Sequence, residues 1–265
     1  MTVAAPAIHS PSQHAAFEAK ALALGLNPAD PWIGGYVDYE WAHLRHIVKA
    51  LPVAITGLQV LEVGCNVGAS SVVFSQLGAD VTAFDISPDF VQLARLNALR
   101  YGRDDITFEW IADSRQLPFA DGRFDLISCN SVMEYVAADH QKAVMAEISR
   151  VLAPGGLVLL TGTSNRLWPK EVHSRKWLTN YLPRTFDDAF GYTFQRGLTP
   201  WSVRRGFGDG FVNLDIPTYD GFFARSRSAM GMSGGKLQGL LMAARLLRTG
   251  PGFLTPSMSC LLQKR

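Results

Sequence analysis

The stretch that most constrains this chain is Val60-Leu61-Glu62-Val63-Gly64-Cys65-Asn66-Val67-Gly68-Ala69-Ser70. The short apolar run from Val60 to Val63 reads as a buried strand. Gly64 and Gly68 bracket a tight turn, since a residue without Cβ bends sharply and lets a ligand approach the backbone. Val72, Val73, Phe74 and Leu77 follow, so a helix packed on a sheet is expected next. The start of such a helix presents N–H groups that have no partner within the helix. By itself this much fits an ordinary strand–helix turn of any doubly wound domain.

The next hundred residues repeat the alternation. Val81-Thr82-Ala83-Phe84-Asp85 reads as a second strand ending in an acid. Asp85 stands about twenty residues past Gly64, the spacing at which an acid meets ribose hydroxyls in nucleotide-binding units. Ser87 and Pro88 read as the cap and first position of a helix that carries Phe90, Leu93, Ala94 and Asn97 and stops at Gly102. A third strand, Ile106 to Ile111, leads into Ala112-Asp113-Ser114, and a fourth runs from Phe124 to Asn130. Asn130-Ser131-Val132-Met133-Glu134-Tyr135 leaves the end of that strand. Asp139 is expected to cap a helix from Gln141 to Leu152, with Val144, Ile148 and Val151 on one face. Pro154-Gly155-Gly156 then turns the chain into a fifth strand.

In this order the motifs resemble a class I S-adenosylmethionine-dependent methyltransferase of the small-molecule type, over residues 58 to 163. The resemblance implies a Rossmann-like α/β fold: a doubly wound, seven-stranded, mostly parallel sheet with an antiparallel last strand and helical or loop cap insertions. It implies S-adenosyl-L-methionine as cofactor. The glycine turn would hold the methionine part, the acid after the second strand the ribose, and the acid after the third strand the adenine. Carried over, the cofactor-binding residues are Glu62, Gly64, Cys65, Asn66, Gly68, Asp85, Ile86, Ala112, Asp113, Ser114, Asn130 and Ser131. Asn66 departs from the pattern, standing where the family usually has a second glycine. Tyr135 departs too, standing where a histidine often follows the glutamate.

Around that core the chain divides into residues 1–57, a leader and helices expected to cover the cofactor site, and residues 164–265, cap insertions plus the last two strands. Gln13 to Leu26 reads as a helix. Asp38 is expected to cap an amphipathic one with Trp41, Leu44, Val48 and Leu51 at spacings of three and four. Tyr36, Tyr39 and Arg45 are candidates to touch the cofactor or gate the site. Ser164 to Pro200 is rich in Trp, Tyr, Phe, Pro and Arg. A sixth strand is expected over Phe211 to Ile216. The segment Lys236 to Arg248 stripes Leu237, Leu240, Leu241, Ala244 and Leu247 along one face, and Ser257 to Gln263 closes the sheet. That segment reads as a lid, with peripheral membrane contact as the alternative. Residues 164–200 and 217–253 are expected to pack together over the carboxyl edge of the sheet.

The three cysteines, Cys65, Cys129 and Cys260, have no metal-ligand spacing and read as buried thiols in a reducing compartment. No basic segment precedes an apolar run at the N-terminus, and no run of eighteen apolar residues occurs. A cytoplasmic location is therefore expected. Residues 1–160 hold 10 Lys and Arg against 17 Asp and Glu, whereas 161–265 hold 15 against 6. This split points to an anionic, partly apolar small-molecule substrate facing Arg166, Arg175, Arg184, Arg204 and Arg205, with Trp168, Trp177, Tyr181, Phe186, Phe190 and Trp201 as an apolar wall. No nucleic-acid partner is expected, since no separate basic module or base-flipping motif is present.

Methyl transfer from a sulfonium needs alignment of the acceptor and exclusion of water. An oxygen acceptor usually also needs a base. His173, within Glu171-Val172-His173-Ser174, is the catalytic candidate, because its side chain titrates near neutrality. Glu134 and Tyr135 fall near the site by resemblance. His140 reads as a surface residue, as do His43 and His46. Oxygen is favoured over nitrogen or carbon as the acceptor atom. Two other functions compete with methyl transfer: a nicotinamide-dependent oxidoreductase, which the missing Gly-x-Gly-x-x-Gly spacing disfavours, and a non-catalytic binding protein of the same fold, which the intact acids disfavour.

Overall fold

The computed structural model describes residues 3–173, 175–183 and 197–265. The chain runs α1 (Pro11–Ala23), α2 (Tyr36–Lys49), β1 (Gln59–Val63), α3 (Ala69–Gln76), β2 (Asp80–Asp85), α4 (Pro88–Arg100), β3 (Thr107–Trp110) and β4 (Phe124–Asn130). It continues with α5 (Gln141–Val151), β5 (Leu152–Ser164), α6 (Pro200–Phe207), β6 (Phe211–Asn213), α7 (Asp215–Thr218), α8 (Phe222–Ala229), α9 (Gly234–Leu246) and β7 (Ser257–Lys264). The strands form one sheet in the order β3-β2-β1-β4-β5-β7-β6. Pairing is parallel through Val60↔Val81, Val60↔Leu126 and Ala83↔Phe108, and antiparallel through Leu159↔Leu261 and Val212↔Gln263. The fold is the expected one, and it falls into two compact units, Met1–Ser128 and Cys129–Arg265.

In the first unit, Val60, Leu61 and Val63 of β1 and Val72, Val73 and Phe74 of α3 are buried. Parallel strands covered on both faces carry such continuous apolar runs. Two helix starts differ from the sequence reading. Ser10 caps α1 with Pro11 at its first position, earlier than Gln13. Gly35, not Asp38, is the residue before α2, and Asp38 sits in the first turn, where an acid also meets the positive end of the helix dipole. A buried arginine joins the pieces. Arg100 donates from Nε to Asn97 Oδ1 at 2.7 Å and from a terminal nitrogen to the Gly34 carbonyl at 2.8 Å. Its guanidinium lies 3.9 Å from the Phe17 ring centroid. Asn97 in turn donates to the Val67 carbonyl at 2.6 Å, so α1, the loop before α2, α4 and the glycine turn share one network.

In the second unit, Leu157 to Leu160 of β5 and Met258 and Cys260 to Leu262 of β7 are buried. Gly206 of α6 lies against Met145 of α5. His140, not Asp139, is the residue before α5, and its side chain makes no capping bond. The sixth strand is shorter than expected. Asn213 Oδ1 accepts from the Asp215 N–H at 3.0 Å, an Asx turn that ends β6 and starts α7. The stripe on α9 is buried at Leu237, Leu241 and Ala244, with Leu237 and Leu241 clustered against Phe223 and Ala224, while Leu247 lies beyond the helix and is exposed. The cysteines are buried and unbridged. No helix among the described residues is long and apolar enough to cross a membrane.

Candidate active site

The glycine turn of the first unit is held by a carboxylate. Asp85 Oδ2 accepts from the Asn66 N–H and Oδ1 from the Ser87 N–H, both at 2.9 Å. One acid at the end of β2 thereby fixes the turn after β1 and the cap of α4. A carboxylate offers about four lone-pair positions, so acceptor capacity remains on both oxygens. Asn66 has φ 49°, Gly64 φ 67° and Gly68 φ 73°. Asparagine is among the few side chains that tolerate this left-handed region, so the departure from glycine leaves the turn intact. Gly68 is fixed twice over: its φ is positive, and a Cβ there would sit 3.0 Å from Ala94 Cβ and 3.2 Å from the Phe108 ring. Ser70 and Ser71, in the first turn of α3, are buried.

The other expected residues of this unit differ in burial and charge. Glu62 is buried, and burial pushes its carboxyl up to about 8, against the hydrogen bonds from Ser71 and Ser70 and with added repulsion from Glu40. Cys65 is buried beside Glu62, and its thiol is pushed well up for the same reason. Ile86 is 62% exposed, an uncovered apolar side chain next to Asp85, and its carbonyl accepts from Trp110 Nε1 at 3.0 Å. Ala112 is exposed, and Asp113 and Ser114 are half-buried. Asp113 is engaged by Arg115, whose Nε lies 2.8 Å from Oδ1 and whose Nη2 lies 2.8 Å from Oδ2. Arg115 was not among the residues read from the sequence.

Asn130 and Ser131 lie in the second unit, where β5 holds them. Asn130 Oδ1 accepts from Thr161 Oγ1 at 3.2 Å, and the Ser131 N–H donates to the Thr161 carbonyl at 2.9 Å. Gly162, with φ 71°, leaves the room they fill, because a Cβ on it would collide with Ser131 Oγ. A few residues on, the Glu134 side chain is 0% exposed and the His173 side chain 31%. His173 Nε2 lies 3.0 Å from Glu134 Oε1, which also accepts from the Ser164 N–H at 3.3 Å. Glu134 Oε2 is buried with no hydrogen-bond partner among the described residues. The bond from Glu134 raises the His173 pKa above its ordinary value, helped by charge from Glu134 and Glu171 and opposed by burial. The Tyr135 ring centre stands 6.1 Å from the imidazole.

Of the other candidates, Tyr36 hydrogen-bonds Glu40, and burial raises its phenol far above the usual range. Tyr39 stacks at the surface with Trp32 and His43. Arg45 turns to His46 and Trp41 instead of the glycine turn. His140 pairs loosely with Asp139. Trp168, Trp177, Tyr181 and Trp201 are all more than a third exposed, so they do not form a buried core of the insertions. Arg166 donates to the Asn180 carbonyl at 3.3 Å. Ser174, Arg184, Phe186 and Phe190 lie outside the described residues. No cluster of three metal-ligating side chains occurs among those described.

Comparison with known proteins bears on this arrangement. Residues 61–160 match the family described as "Methyltransferase domain". Over 140 residues the chain is 35% identical to a protein named ubiquinone biosynthesis O-methyltransferase from Xanthomonas campestris pv. campestris (strain B100), covering 51% of this chain and 56% of that one. A protein of the same name from Xanthomonas oryzae pv. oryzae (strain PXO99A) is 32% identical over 135 residues, covering 49% and 54%. The chain thus spans about half the length of the curated relatives it matches. Among solved structures, an S-adenosylmethionine dependent methyltransferase from Mesorhizobium loti has a TM-score of 0.54 at 18% identity, covering 84% of this chain and 98% of that one. The cyclase SpnF has a TM-score of 0.53 at 16% identity, covering 90% and 84%. A methyltransferase and a cyclase thus share the fold, and the fold alone does not name the chemistry.

Proposed function

We propose, for a chain whose residues 61–160 are a class I S-adenosylmethionine-dependent methyltransferase core, that it transfers a methyl group from that cofactor to an oxygen atom of a small molecule in the cytoplasm. The observation that carries this reading is Asp85, which ties the glycine turn to the α4 cap and keeps acceptor capacity beside an uncovered Ile86. The names of the relatives favour oxygen as the acceptor atom.

The chemistry of the surrounding groups fits the cofactor end by end. Asp85 suits the two ribose hydroxyls, and Ile86 and Ala112 suit a face of the adenine. Asp113, steered by Arg115, suits the adenine edge together with Ser114. The N–H groups opening α3 after Gly68 suit a carboxylate, and Gly64, Cys65 and Asn66 complete the turn. Glu62 suits the positive charge of the methionine part, and a cation there would pull its raised carboxyl back toward ionisation. Asn130 and Ser131, expected from the sequence at the cofactor, lie in the second unit. When bound, the cofactor supplies a methyl group on a sulfonium whose departure as a thioether needs no protein acid.

For the acceptor we assign the second unit, on the excess of basic residues after position 160 and the exposed aromatics Trp168, Trp177 and Trp201. These support an anionic, partly apolar molecule. Exposed Met242, Leu246 and Leu247 beside Arg245 and Arg248 also support a lipid-surface role for the end of α9, which sedimentation with anionic vesicles would test.

Calorimetry should detect S-adenosylhomocysteine binding, and Asp85→Ala should weaken it at least tenfold, about 1.4 kcal/mol. Nicotinamide dinucleotides should give no heat. Binding of a nicotinamide dinucleotide without S-adenosylhomocysteine would overturn the reading.

A further inference from the structure

We infer that the corner joining α8 to α9 is a headgroup site for anionic phospholipid. A cleft at Arg227 and Lys236 takes the phosphate, and the outward face of α9 lies in the lipid surface. The inference deepens the lipid-surface role given above to the end of α9, and it does not depend on methyl transfer. Every residue in it belongs to the second unit.

Helix α9 is apolar on two sides. At about 3.6 residues per turn, Leu237, Leu241 and Ala244 share the buried side, where Leu237 and Leu241 cluster with Phe223 and Ala224. Gly235, Gly239, Met242 and Leu246 fall on the opposite side, where Met242 is 70% and Leu246 83% exposed. A surface helix ordinarily turns charged and polar side chains that way. Here they stand at the margins, Gln238 and Arg245 along one edge and Lys236 along the other.

Charge selects the partner. From position 221 to position 265 the chain carries seven Lys and Arg and no Asp or Glu. A second copy seated on this face by a two-fold axis would set basic margin against basic margin. A protein interface draws on Tyr, Trp and Phe at its centre, and the outward face of α9 has none. An apolar face edged by Lys and Arg is the composition of a helix lying in the plane of an anionic membrane.

The headgroup end lies where α8 turns into α9. Arg227, Met230, Gly231, Met232, Ser233 and Lys236 line a cleft of about 370 Å³. Gly231 turns the chain there with φ 82°, and the Met232 N–H closes the turn on the Arg227 carbonyl at 3.0 Å. Arg227 is half-buried, its guanidinium 5.3 Å from the Phe223 ring centroid, whereas Lys236 is exposed. Two cations with two thioether side chains between them match a phosphate that carries an apolar ester. Arginine offers phosphate oxygens a planar fork and lysine a point charge. Lys236 joins the two parts, lining the cleft and bordering the outward face.

The two parts have separate readouts. Flotation with vesicles of phosphatidylglycerol and phosphatidylcholine in equal parts should recover the protein, and vesicles of phosphatidylcholine alone should not. Leu246→Glu should lower the partition tenfold or more. Arg245→Gln with Arg248→Gln should lower it about fivefold for each charge removed. Methyl NMR of the methionines reads the cleft. Glycerophosphoglycerol, the water-soluble headgroup, should shift Met230 and Met232 and leave Met242 and the buried Met145 unmoved. Vesicles should shift Met242 as well. Lys236→Gln should abolish the headgroup shifts, with an unmoved Met145 showing that the fold is intact. No binding to anionic vesicles, or equal binding to neutral ones, overturns the proposal. So does self-association that Leu246→Glu removes without any vesicle binding, which would assign the face to a second copy. If vesicles bind but glycerophosphoglycerol leaves Met230 and Met232 unmoved, the headgroup site is wrong and only the lipid-surface role of α9 stands.

Discussion

Burial holds the Glu62 carboxyl up to about 8 in the folded protein, far above its value in an unfolded chain. The sign of the consequence is fixed by linkage. A carboxyl raised on folding binds its proton more tightly in the native state. Its favourable contribution is complete below the unfolded pKa and is lost as pH rises through about 8. Stability should therefore fall between pH 5.5 and pH 8.5. Urea unfolding at the two pH values should show a drop of at least about 1 kcal/mol in the wild type. Glu62→Gln should flatten that drop, because an uncharged amide oxygen still accepts from Ser71 without a charge to desolvate. An unchanged slope in the variant would assign the pH dependence elsewhere. His173, also raised, adds in the same direction, so some dependence should survive the substitution. Residues of this kind were half visible in the sequence. Glu62 stands out by its place before Gly64, whereas Arg100 and Asn97 read as ordinary helix positions. Nothing local says that a particular arginine will be buried against Gly34 and Phe17.

Among the elements, turns with their own chemistry were legible and those set by distant neighbours were not. Ser87-Pro88 caps α4 through the Phe90 N–H, as the pair of residues suggests. Asp38 was misplaced as a cap because an acid is stabilised both at the cap and within the first turn, where it stands, whereas Asp139 falls one residue before the cap position held by His140. Gly155 is the expected turn glycine, with φ 76° and nothing within 4 Å of an added Cβ. Gly162 carried no such signal. Its φ of 71° sits inside β5, and only the folded protein shows Ser131 and Asn130 occupying the space of its missing side chain. The two glycines separate strain from crowding. Gly155→Ala should cost about 1 kcal/mol, the price of a left-handed alanine. Gly162→Ala should cost about 1–3 kcal/mol more, since Asn130 and Ser131 must also move. Thermal or urea unfolding of both variants checks the order. Equal losses would mean that the Asn130–Ser131 turn yields freely and that Gly162 does not set its position.

At the scale of the whole molecule, the parallel strands were readable because each is a short, largely apolar run with a glycine or an acid close to its ends, and the fold pairs β1 with both β2 and β4. The second unit was harder. Its antiparallel pairing joins β5 to a strand about a hundred residues later, and contacts such as His173 to Glu134 join positions 39 apart with no local pattern to announce them. The charge division crosses this boundary of legibility, since it was plain in the sequence yet its use is not. Residues 161–265 hold 15 Lys and Arg against 6 Asp and Glu, and Arg204 and Arg205 are exposed on α6. If this excess recruits the acceptor, a carboxylate-bearing acceptor and its neutral amide should respond differently to salt. The Debye length shrinks from about 30 Å at 0.01 M to about 10 Å at 0.1 M, so attraction at a distance weakens while contact apolar burial does not. The KM of the carboxylate acceptor should rise several-fold over that range, and the KM of the amide should stay nearly constant. Arg204→Gln with Arg205→Gln should reduce the salt response without changing S-adenosylhomocysteine affinity, because neither residue belongs to the glycine-turn site. Equal salt responses for the two acceptors would show that the basic excess does not recruit the acceptor and serves solubility instead.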